Sequence, residues 1–186
     1  MRILKYLVIF LVVCSVSFIS VGLVYPTVSY QSSVIVNRPI THTFNAFTNP
    51  FYLHKWLPGF VSITPISGMP YQPGSIYELV VEHDGEEMIL NQEMTGFEVN
   101  RLFSYKLTNE FLVTKAEITF EEVDGKTKIT SISIVEGSNI LIRSVFPFMQ
   151  STFQKRDQEG YDNLKDMIEG NRDQGGLLMD LFFRKG

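Results

Sequence analysis

The sequence predicts an α+β domain of about seven strands joined in antiparallel hairpins and one long C-terminal helix, preceded by a single transmembrane helix. Three observations carry this. From Tyr6 through Asn37 no residue is charged, and the first part of that run is nearly continuous apolar sequence. From Gly74 to Glu136 apolar and polar residues alternate with a period of two, interrupted at regular intervals by turn residues. Beyond Asn139, apolar residues recur at helical spacing.

The apolar segment spans 4–25 and reaches the length of about 20 residues that carries a helix across a bilayer. Arg2 and Lys5 precede it, Tyr6 and Tyr25 stand near its ends where aromatic rings favour the interface, and Pro26 closes it. A cleaved signal peptide is the alternative. Its apolar stretch is normally shorter, and Ser20-Val21-Gly22 is the only tolerable cleavage pattern. Because the flanking positive charge stays in the cytoplasm, the expected orientation is N-terminus inside and domain outside. The expected organisation is therefore an anchor over 1–28, a domain over 29–170 and a tail over 171–186.

The domain carries all 20 acidic residues and 14 of the 16 basic ones, a net charge near −6 with no basic run. Nucleic-acid binding needs a concentrated positive footprint, so no nucleic-acid partner is expected. The single cysteine, Cys14, lies in the anchor and excludes an intrachain disulfide or a cysteine metal site. About 160 residues suffice for one domain with a real core.

Within the domain, Tyr30 to Val36 alternates as a strand. Pro39 suits a helix start, Ile40, Phe44 and Phe47 give that helix an apolar stripe, and Asn49-Pro50 ends it. A short helical piece follows over 51–56, stopped by Pro58-Gly59, then a strand over 60–66 and a loop at Ser67-Gly68-Met69-Pro70. Asp84-Gly85 and Asp124-Gly125 are hairpin turns, and Asn100 and Thr108-Asn109-Glu110 turn between them. Strands are thus expected over 76–82, 88–99, 102–107, 111–123 and 127–135. Gly137-Ser138-Asn139 opens a helix over 140–169, which Pro147 should break or kink.

Several short motifs follow this order. Ser33-Val34-Ile35-Val36-Asn37-Arg38-Pro39 leads into Thr43-Phe44-Asn45-Ala46-Phe47-Thr48-Asn49-Pro50. His54-Lys55-Trp56-Leu57-Pro58 and Gly74-Ser75-Ile76-Tyr77 come next. In these motifs and their order, residues 30–169 resemble the START-like superfamily, also called SRPBCC or polyketide cyclase/dehydrase-like proteins. The resemblance implies a helix-grip fold, a twisted antiparallel sheet wrapped around the C-terminal helix with a deep apolar cavity between them. Its members include lipid carriers, receptors and cyclases, and the fold does not choose among them.

Alternation assigns the faces. Met88, Leu90, Gln92 and Met94 share the inner face of one strand, as do Tyr77, Leu79 and Val81; Phe103, Tyr105 and Leu107; and Leu112, Ala116, Ile118 and Phe120. Such broad and adaptable side chains line apolar sites or simply fill a core. Gln92 stands out as an amide in an apolar row, which requires a partner in either the protein or a ligand. The expected cavity lining is Trp56, Tyr77, Met88, Leu90, Gln92, Met94, Tyr105, Ile118, Phe120, Phe153 and Tyr161, with Gly160 where the helix passes close to other backbone.

His42, His54 and His83 fall in unrelated elements, and no metal or other cofactor is expected. Glu86-Glu87 and Glu121-Glu122 read as solvated hairpin ends. No Gly-x-Ser-x-Gly elbow or phosphate loop is present. The expected function is a membrane-anchored module binding a small hydrophobic ligand, a lipid or lipid-like metabolite. A cyclase/dehydratase-type enzyme using the same cavity and a structural membrane protein with a filled cavity are the alternatives. Leu177, Leu178, Leu181, Phe182 and Phe183, followed by Arg184 and Lys185, form an apolar tail with a basic end that suits a membrane surface or a cavity cover.

Overall fold

The computed structural model describes residues 2–183, and side-chain surroundings over 3–170. Helix α1 (Arg2–Val24) is followed by strand β1 (Thr27–Val36), helix α2 (Ile40–Thr48), a single 3-10 turn (Pro50–Tyr52) and helix α3 (Leu53–Trp56). Six strands follow: β2 (Phe60–Ser67), β3 (Ile76–His83), β4 (Glu86–Glu98), β5 (Leu102–Thr108), β6 (Leu112–Val123) and β7 (Lys126–Gly137). Helix α4 (Ile140–Phe183) completes the chain. All seven strands form one antiparallel sheet in the order β1-β7-β6-β5-β4-β3-β2. Among the described residues, α1 is the one helix long and apolar enough to cross a membrane.

The turns form where the sequence places them, and for the expected reason. Asp84 and Gly85 both take positive φ (54° and 83°), as do Asp124 and Gly125 (51° and 71°). That geometry matches the right-handed twist of the strands they join. A bulge between Met94 and Gly96 bends β4, and a Cβ at Gly96 would lie 2.6 Å from Ser104 Oγ, so a larger residue there would have to turn that hydroxyl aside.

Helix α4 starts at Asn139, whose Oδ1 accepts hydrogen bonds from the Leu141 and Ile142 amides at 3.1 Å. Of the two outcomes expected at Pro147, a break does not occur: the residue stands inside α4 without ending it. Proline is best tolerated close to a helix start, and Pro147 lies about two turns in. Phe146 beside it is buried against Val28 and Val135, which holds the segment on the sheet. The helix also continues beyond residue 169 to Phe183. The side chains of the apolar tail and residues 184–186 lie outside those described.

One face of α4 covers the edge strand. Gln150, Gln154 and Gln158 donate through Nε2 to the carbonyls of Ser29, Gln31 and Ser33 at 2.7, 2.8 and 3.1 Å. Gln158 Oε1 also accepts from the Ser33 amide at 3.2 Å. Four residues of helix advance about 6 Å and two of strand about 6.8 Å, so the two repeats run nearly in register. Three outward carbonyls and one outward amide of β1, an edge otherwise open to pairing with another chain, are thereby occupied.

The main core lies between α2, α3, the inner sheet face and the middle of α4. Phe44, Phe47, Trp56, Phe120, Ile129, Leu164 and Ile168 meet there. Phe47 stacks on Trp56 with centroids 5.1 Å apart, and Phe120 meets Phe44 and Phe47 edge-on at 5.0 and 5.3 Å. A smaller cluster of Val28, Val135 and Phe146 lies at the other end of α4. There α1 packs against α4, with Gly22 so close that a Cβ would fall 2.5 Å from Ser144 Oγ and 2.7 Å from the Ile140 carbonyl.

Candidate functional site

Between α3, α4 and the inner faces of β2 to β6 the side chains leave a cavity of about 490 Å³. The strands supply it with alternate residues, since every second side chain of a pleated strand points to one face. Leu79, Leu90 and Met94 are buried, and Phe103, Tyr105 and Leu107 continue the wall on β5. Leu53, Trp56 and Leu57 come from α3 and its end. The exposed residues Pro50, Pro65, Pro70 and Tyr71 stand where the cavity meets solvent. Most of the lining is apolar or aromatic, as in sites for apolar ligands.

Two adjacent residues of α4 bring charge to this wall. Arg156 is already engaged: its guanidinium lies 2.7 Å from His83 Nδ1 and donates to the Glu82 and Pro58 carbonyls at 3.1 and 3.4 Å. Asp157 is not. It faces Ser32 of β1 and Ser131 of β7, which are direct cross-strand partners. Burial pushes the carboxyl above its ordinary value of 3.8, and the two hydroxyls only partly offset the rise. Yet Ser32 Oγ, Ser131 Oγ and Asp157 Oδ2 are all buried, and none completes a well-formed hydrogen bond. Proximity tempers the charge without satisfying it.

Three phenols lie near enough to feel this group. Burial, reinforced by Asp157, pushes Tyr30 up to about 12, with Ser133 drawing it back. Burial also raises Tyr105 and Tyr161 well above the usual tyrosine range, and Asp157 adds to both. These tyrosines therefore stay neutral hydrogen-bonding groups throughout the physiological range. Trp56 Nε1 is likewise buried without a partner.

Residues 27–169 match the family described as polyketide cyclase / dehydrase and lipid transport. The chain belongs to this family. No curated protein matches it. Among solved structures it is similar to Ara h 8.0201, with a TM-score of 0.63 at 14% identity over 77% of this chain and 99% of that one. TTHA0849 from Thermus thermophilus gives a TM-score of 0.65 at 10% identity, covering 77% and 99% of the two chains. StfQ, a di-domain ARO/CYC protein from the steffimycin biosynthetic pathway, gives 0.64 at 7% identity, covering 79% of this chain and 52% of that one. These likenesses establish the helix-grip fold that the sequence motifs imply.

Within this polyketide cyclase/dehydrase and lipid transport domain, the structure brings most of the expected residues together. Trp56, Tyr77, Leu90, Gln92, Met94, Tyr105, Ile118 and Tyr161 all line the cavity. Gly160 lines it too, with a position for a Cβ 3.2 Å from the Pro58 ring and 3.7 Å from the Trp56 carbonyl. Three residues fall elsewhere. Phe120 is consumed by the core beside Phe44 and Phe47. Phe153 packs against Tyr30 and Phe146, toward the start of α4. Met88, near the β3–β4 hairpin, does not reach the lining, although its cross-strand partner Val81 does. Each shares the inner face, but position along the element separates the core, the cavity and the hairpin end.

Arg156 and Asp157 are the charged lining residues that sequence reasoning missed. A signal was present. Asp157 and Tyr161 lie four apart on one helix face, while Ser32, Ser131 and Ser133 occupy inward positions between Val28, Val34, Ile129 and Val135.

Proposed function

We propose that this domain holds a small apolar molecule, a lipid or lipid-like metabolite, in the cavity between sheet and α4, at a membrane to which α1 fixes it. The observation that supports the reading is the largely apolar cavity of about 490 Å³. That volume falls within the usual range of ligand sites, roughly 300 to 1,000 Å³, and speaks against a cavity closed by its own side chains. The contact of α1 with α4 through Gly22 supports an anchor that remains part of the folded chain. Arg2 and Lys5 before the span favour a cytoplasmic N-terminus and an extracytoplasmic domain.

A cyclase/dehydratase-type activity is the second reading, and Asp157 favours it. A buried carboxyl with raised proton affinity in a cavity wall is a candidate acid.

Native mass spectrometry of the full-length chain, released from detergent, tests the binding reading. A co-purified lipid-sized adduct is expected, and its absence under all conditions refutes carriage. Protease added to spheroplasts should remove the domain, whereas protection beside a degraded external control reverses the orientation. A mature chain beginning near Leu23 would identify the first helix as a cleaved signal.

A further inference from the structure

We propose that Asp157, backed by Ser32 and Ser131, is a recognition site for a protonated amine on a ligand whose remaining body is apolar. This rests on the reading of the cavity as a ligand site and names the chemical class it takes. The geometry is specific. Ser32 and Ser131 stand opposite each other on β1 and β7, and each is almost fully buried. Asp157 lies between them and the cavity, on the side of α4 that lines it. Ser32 Oγ, Ser131 Oγ and Asp157 Oδ2 lie just behind the cavity wall, where Tyr161 also meets Ser131, and none of the three completes a well-formed hydrogen bond. Buried polar atoms are nearly always paired, so a donor that reaches the Asp157 carboxyl from the cavity would complete the cluster.

The charge of that partner follows from its surroundings. Among the described residues, no ion pair includes Asp157. The neighbouring cation, Arg156, is turned to His83 and two carbonyls. The other groups facing Asp157 are the phenols of Tyr30 on β1, Tyr105 on β5 and Tyr161 on α4, all neutral. A carboxylate ligand would meet uncompensated like charge there. An alcohol would gain only a neutral hydrogen bond. An ammonium group supplies three donors, gains a charge-assisted bond to the carboxyl, and enters a chamber walled by aromatic rings such as Tyr105 and Trp56.

The test uses the full-length chain in phosphatidylcholine vesicles, with emission of Trp56, the only tryptophan and a wall of the cavity, reporting occupancy. Three rigid probes of one shape are compared: adamantane-1-methylamine, adamantane-1-methanol and adamantane-1-carboxylate. The amine should bind at least about tenfold more tightly than the alcohol, and the acid most weakly. Asp157→Asn should lower amine affinity by at least about tenfold and abolish its preference over the alcohol. Ser131→Ala should weaken the amine by a smaller factor and keeps the role testable if the Asn variant fails to fold. Binding of the alcohol or acid as tightly as the amine overturns the amine site while leaving the cavity reading intact. So does an amine preference that survives Asp157→Asn. If none of the three probes changes Trp56 emission, both readings fall.

Discussion

Replacing Asp157 by Asn should make the domain relatively more stable as the pH rises. The carboxyl is largely buried, its Oδ2 has no hydrogen-bond partner, and its proton affinity in the fold exceeds the ordinary value of 3.8. A raised pKa means that folding favours the neutral acid. That contribution is fully present below about pH 3.8, where the acid is neutral in both states, and is lost as pH rises through the folded value. Asn titrates in neither state. Between the two pKa values the wild-type chain should therefore lose up to about 1.4 kcal/mol per pH unit relative to Asp157→Asn, after which the gap becomes constant. Tyr30, Tyr105 and Tyr161 contribute nothing to this slope, since burial keeps them protonated throughout. The assay is urea unfolding of the ligand-free full-length chain in vesicles, followed by Trp56 emission in steps from about pH 4 to pH 8. A gap that ignores pH, or that moves against the variant as pH rises, refutes the burial of an uncompensated carboxyl.

Four further outcomes follow from the packing. Leu164→Ala should cost about 2 to 5 kcal/mol in urea unfolding, because Leu164 is completely buried where α4 meets the main core. Met94→Trp should fill the cavity and abolish the ligand adduct in native mass spectrometry while the fold persists. Gln92→Leu then distinguishes a ligand contact, with binding lost at unchanged stability, from a structural amide whose loss costs about 1 to 3 kcal/mol. Gln158→Ala should accelerate hydrogen exchange at the Ser33 amide, read by NMR, with a stability loss of about 0.5 to 1.5 kcal/mol. Unchanged exchange at Ser33 would show that the glutamine ladder does not guard the edge of β1.

The sequence by itself determined the element order, the turn positions and which face of each strand is buried. Those features are local: Asp84-Gly85 and Asp124-Gly125 need only their own dihedral preferences, and a period of two sorts each strand's residues whatever its neighbours are. Only the tertiary structure decided which inner-facing residues reach the cavity. Phe120, Phe153 and Met88 obey the same alternation as Met94 and Tyr105, but where α4 crosses the sheet assigns them to the core, the far cluster and the hairpin end. The same applies to Asp157. Along the chain it reads as one more charge in a polar stretch of helix. Its burial comes from Ser32 and Ser131, 125 and 26 residues away in sequence, which strand pairing and the packing of α4 bring against it. Desolvation is a property of the assembled surroundings, and no periodicity in a single segment encodes it.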